Sequence, residues 1–120
     1  MDKIRVVLCE PGKIAREVEI ENSLEAFQAA VGGNIEVVVP EDHVDGALIV
    51  CNEDGKIIHL PLNRIVGYMN ASDIICGTFI ICDSNIESGE FISLDDGQVD
   101  LYLNKYKYPI VRTAERKDED

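Results

Sequence analysis

Few residues in this chain carry reactive side chains, and their spacing limits what they could do. Cys76 and Cys82 flank Gly77 in the apolar stretch DIICGTFIICD, Asp73–Asp83. Metal sites in small domains use close pairs such as C-x-x-C, and dithiol redox centres place C-x-x-C at a helix start. Here five residues separate Cys76 from Cys82, and Cys9 and Cys51 have no near partner. The set predicts reduced thiols packed in strands, with no metal and no cofactor. On a continuous strand Cys76 and Cys82 would face the same side, with Gly77 as a bulge or a close backbone approach. The histidines, His43 and His59, lack a nucleophile context such as G-x-S-x-G. No G-x-G-x-x-G or P-loop is present. Carboxylate pairs occur throughout so acidic a chain and do not single out an acid–base couple. The expectation is a protein that is not an enzyme.

Binding is the chemistry left. HLPLNRIVGYMN brings His59, Asn63, Arg64, Tyr68 and Asn70 into an irregular stretch, where Arg64 is the only base between Lys56 and Lys105. One reading makes Arg64 a structural tie paired with a neighbouring acid. The other makes Asn63 and Arg64 a ligand or anion contact on a loop.

Charge supplies a second candidate. Eleven Lys and Arg stand against 23 Asp and Glu, a net of −12. The end of the chain, 113–120, accounts for only −2 of it. Such a body repels nucleic-acid phosphates, so direct nucleic-acid binding is disfavoured. It attracts basic protein surfaces. Two stretches hold acids and no Lys or Arg: Glu36–Asp54, with Asp42 and Asp45, and Asp83–Asp100, with Asp95, Asp96 and Asp100. They read either as a solvated face or as a mimic of a phosphate backbone.

The elements that must position these groups follow from pattern. At 120 residues and 46% hydrophobic, the chain predicts a single domain over 1–112 with a disordered acidic tail over 113–120. KIRVVLC and IAREVEI flank Pro11-Gly12 as a hairpin. NSLEAFQAAVGG reads as a helix capped by Asn22 or Ser23, with Leu24, Phe27 and Val31 inward. NIEVVVP is a strand. ALIVCN and KIIHL would form a hairpin around Glu53-Asp54-Gly55. PLNRIVGYMNAS has no clean period and reads as a loop, and DIICGTFIICD reads as one strand. SLDDGQVDLYLNKYKYP predicts a helix capped by Ser93, with Val99, Tyr102, Leu103 and Tyr106 inward. The order is β-β-α-β-β-β-β-α, an α+β fold with a mostly antiparallel sheet on one or two helices. No apolar run is long enough to span a membrane. The N-terminus lacks a signal pattern, which predicts a cytoplasmic protein.

Glu10-Pro11-Gly12, Pro61-Leu62-Asn63-Arg64 and Gly77-Thr78 resemble the domain-of-unknown-function 3846 family, and the similarity runs from about Lys3 to Tyr108. The resemblance implies a bacterial, phage or mobile-element setting and carries over no catalytic residue. In that setting a small acidic protein is expected to bind and inhibit a host protein with a basic surface, such as a defence nuclease. The alternative is a sponge-like oligomer binding a nucleotide or other small ligand.

Overall fold

The computed structural model describes residues 2–40, 46–68 and 71–111. Its strands are β1 (Lys3–Cys9), β2 (Arg16–Glu21), β3 (Ile35–Val38), β4 (Leu48–Asn52), β5 (Leu62–Tyr68), β6 (Ala71–Cys76), β7 (Phe79–Ser84) and β8 (Phe91–Ile92). Its helices are α1 (Leu24–Val31) and α2 (Asp96–Lys105). Every strand pair is antiparallel. The fold is therefore α+β with a mostly antiparallel sheet.

The main sheet runs β2-β1-β7-β4-β3, with β8 added to the far end of β7. Its central strands are covered on both faces, which is why VVLC, LIVC and FIIC read as unbroken apolar runs. Alternate residues sort to the two sides. Val6, Val50, Ile80 and Cys82 pack with Phe27 of α1. Val7, Ile49, Phe79 and Ile81 pack with Val99 and Tyr102 of α2, with Tyr106 just past its end, and with Val66 and Ile75 of the separate β5–β6 hairpin. An isolated two-stranded hairpin is marginal in water, so β5–β6 depends on this docking.

The β1–β2 hairpin closes through Glu10–Lys13, where Lys13 N–H donates to the Glu10 carbonyl at 3.1 Å and Gly12 has φ +75°. Proline second and a left-handed glycine third make a type II turn. Ser23 caps α1 by accepting from Ala26 N–H, and Gly32 ends it in the left-handed conformation. Leu24, expected inside, is 56% exposed, while Phe27 and Val31 are buried.

Three expectations are corrected. KIIHL is not a strand. The chain turns over Glu53–His59 and leaves the main sheet, with Ile57 and Ile58 exposed. The turn closes with Leu60 N–H donating to the Gly55 carbonyl and His59 N–H to that of Lys56. This is a Schellman pattern, with His59 at φ +60° in the place glycine usually takes. PLNRIVGYMNAS is not a loop, because Leu62–Tyr68 and Ala71–Cys76 form β5 and β6. Its period was obscured because β5 buries Asn63 and Arg64 as well as Val66. DIICGTFIICD is two strands. Gly77, at φ +88°, breaks it, and a Cβ there would lie 2.6 Å from Leu60 Cδ1. Cys76 and Cys82 thus sit in different sheets and share no face.

The start of α2 also differs. Asp95, not Ser93, is its N-cap. Asp95 accepts from Gln98 N–H, and Gln98 Oε1 accepts from Asp95 N–H, completing a capping box. Ser93 Oγ instead accepts from Arg5 N–H. No helix among the described residues is long and apolar enough to cross a membrane.

Candidate functional site

The motif residues Asn63 and Arg64 lie at the buried heart of the second layer. Asn63 is fully buried and Arg64 is 2% exposed. Asn63 Nδ2 donates to the carbonyls of Cys9, at 2.9 Å, and Gly77, at 2.8 Å. Arg64 Nε donates to Tyr106 O at 2.8 Å, and its Nη2 to Lys13 O at 2.8 Å. Its Nη1 reaches Asn63 Oδ1 at 2.5 Å, with longer contacts to the carbonyls of Glu10 and Asn63. The guanidinium therefore binds carbonyls, and no carboxylate is among its partners in the described residues.

Tyr106 is the C-cap of α2, so Arg64 places positive charge where the helix dipole leaves exposed carbonyls. Burial pulls the Arg64 pKa down. With its nitrogens turned to carbonyls, Arg64 works as a tie joining the Glu10–Lys13 turn, β5 and the end of α2.

Three quoted motifs meet at this knot. Glu10-Pro11-Gly12 supplies a carbonyl, Asn63-Arg64 the donors, and Gly77 both a carbonyl and an N–H that donates to Pro61 O at 2.7 Å. Their separation in sequence hid the meeting. The signal available was the pairing of an arginine with an asparagine in a stretch bounded by turn residues.

Beside the knot lies an open groove of about 710 Å³. Pro11, Leu60, Leu62 and Ile110 form its apolar walls, and Lys56 and His59 face it. Lys56 Nζ also pairs with Asp73 Oδ1, which raises the lysine pKa and lowers that of the aspartate. A second cleft of about 370 Å³ opens between β3 and β6, with Glu36, Glu53 and Asp73 on its lining.

Where they are described, acids of the two stretches lie at both edges of the main sheet. Glu36 is on β3 at one edge of the main sheet. Asp95 and Asp96 lie near the other edge, where Arg5 bridges Glu17 of β2 at 2.5 Å and Asp96 of α2 at 2.5 Å. Glu17, Glu19 and Glu21 are exposed at alternate positions of β2. Asp96 and the exposed Asp100 are one helical turn apart on α2. The β2 and α2 acids thus share one side of the domain. The repeat of glutamate at every second position in REVEIE was the signal for it. Asp42, Asp45, His43 and Asn70 lie outside the described residues, as does 113–120.

The cysteines are free thiols, with Cys9, Cys51 and Cys82 buried and Cys76 half-buried. Burial pushes Cys9 and Cys82 up to about 12 and Cys51 up to about 11. Among the described residues no group of three or more His, Cys, Asp or Glu could hold a metal ion.

A family model described as Domain of unknown function (DUF3846) matches residues 4–107. The chain belongs to this family. The match takes in the turn, the knot and both helices, so the buried ties described above lie inside the family region. No curated protein and no solved structure matches the chain.

Proposed function

We propose that this protein is a non-enzymatic binding protein of the cytoplasm that engages a basic surface on a host protein and inhibits it. A nucleic-acid-binding nuclease of a defence system is the target class, in a phage or mobile-element setting. The reading is carried by one observation: Arg5 joins Glu17 and Asp96, so exposed acids from β2 and α2 lie on one side of the domain. Carboxylates held on a strand and a helix keep their spacing, so they can meet a basic channel with little ordering cost. Charge of this kind speeds encounter and selects basic partners.

The test is inhibition of a panel of defence nucleases across a salt series. The wild type is compared with a variant carrying Glu17→Gln, Glu19→Gln, Asp96→Asn and Asp100→Asn. Asp95 is left in place because it caps α2. The expected result is inhibition that weakens as salt rises and is lost in the folded variant. Inhibition indifferent to both would refute the acidic face, and a panel wholly uninhibited would refute the target class.

A further inference from the structure

We propose that the groove between the Pro11-Gly12 turn and the Glu53–His59 reversal binds a small ligand with an apolar body and one anionic group, a carboxylate or a phosphate. The proposal is independent of the acidic face. At about 710 Å³ the groove falls within the range of small-molecule sites. Its Pro11, Leu60, Leu62 and Ile110 walls suit an apolar body. Acids outnumber bases by 23 to 11 in the chain, yet among the described residues the groove is lined by Lys56 and His59 and by no Asp or Glu, with Asp73 reaching Lys56 from beside it. Lys56 is the charged side chain on this lining, and its ammonium is the group that would meet an anion.

Lys56 remains available despite its pair with Asp73. The pair is exposed, with side chains 57% and 58% accessible, and such pairs contribute little. An ammonium has three protons, so a ligand oxygen can share or displace the aspartate. Arg64 is not the anion contact, because its donors are engaged by carbonyls behind the wall.

His59 supplies a second observation. It holds a left-handed backbone at the C-terminal end of the reversal, where glycine would be free of strain. Its imidazole is exposed and lines the groove, so a backbone of modest conformational cost holds a polar ring where a ligand would sit. The walls are also anchored. Pro61 accepts from Gly77 N–H, and Ile110 N–H donates to Asn63 O at 2.9 Å, so binding requires little reorganisation.

The experiment titrates the isotope-labelled protein at neutral pH with naphthoate, naphthyl phosphate and neutral naphthalenemethanol, following backbone amide shifts. The anionic probes should shift amides around Lys56–Leu62 and Ile110, and should bind about tenfold more tightly than the neutral one. The tighter anion identifies the headgroup. Lys56→Gln should remove that preference, and Asp73→Asn, which releases Lys56, should increase it. Shifts centred elsewhere would overturn the site. Equal binding of neutral and anionic probes would overturn the ligand class, as would a folded Lys56→Gln protein that keeps the preference.

Discussion

Asn63 Oδ1 accepts from Arg64 Nη1 at 2.5 Å, so adjacent residues of one strand meet side chain to side chain inside the protein. Consecutive strand residues ordinarily point to opposite faces. The register of β5 against β6 slips between Leu62 and Arg64, and that irregularity lies where both polar side chains are buried. The amide orients the guanidinium, and the guanidinium satisfies the carbonyls of a turn and a helix end. A buried charge without a carboxylate is tolerable only because several carbonyl dipoles converge on it.

Arg64 is thus expected to govern stability. Arg64→Ala should cost about 2–5 kcal/mol, since it strands Asn63 Oδ1 and the Tyr106 carbonyl in the interior and removes a tie to the part-buried Lys13 carbonyl. Arg64→Lys should recover only part of this, because an ammonium cannot span the same fork. Urea unfolding at neutral pH measures both. A lysine variant as stable as the wild type would show that charge alone suffices.

Gly77→Ala is expected to destabilise the fold for two separable reasons. The residue has φ +88°, and its new methyl would press on Leu60. The left-handed backbone costs roughly 1–2 kcal/mol for a non-glycine residue. The double variant Gly77→Ala, Leu60→Ala removes the 2.6 Å contact with Leu60 Cδ1 but not the backbone strain. It should therefore be less destabilised than the sum of its single changes, a coupling that a double-mutant cycle measures.

The buried thiols make stability depend on alkaline pH. The folded values of Cys9 and Cys82 are raised from 9.0 to about 12, and that of Cys51 from 9.0 to about 11. The folded state therefore holds these protons more tightly than the unfolded chain. The contribution is fully present below pH 9 and is lost as pH rises toward 11–12. Across that window each thiol should contribute up to about 1.4 kcal/mol per pH unit to the decline. Cys82→Ala should show a shallower decline than the wild type, whatever its packing costs at neutral pH. A thiol-exchange reagent at neutral pH should label half-buried Cys76 first and the other three only on unfolding.

Much of the main sheet was legible because local chemistry and tertiary environment agree there. Pro11-Gly12 specifies its turn through fixed backbone preferences, and Ser23 and Gly32 bound α1 for the same reason. The apolar runs of β1, β4 and β7 carry the mark of strands buried on both faces. The exchange between sheets was not legible. KIIHL has strand composition, but Ile57 and Ile58 gain no burial because the chain must turn there to reach the second layer. β5 hides its period because tertiary contacts reward a buried arginine and asparagine that no local pattern would place inside. DIICGTFIICD supports a single strand by composition, and only the approach of Leu60 to Gly77 explains its break. The candidate sites divide in the same way. Net acidity and the alternating glutamates of β2 are properties of the sequence. Their junction with α2 through Arg5, the convergence of three distant motifs on Arg64, and the groove that Lys56 and His59 line exist only after folding. Each depends on residues far apart in sequence that are brought within hydrogen-bonding or packing distance by the sheet order and the docking of the hairpin.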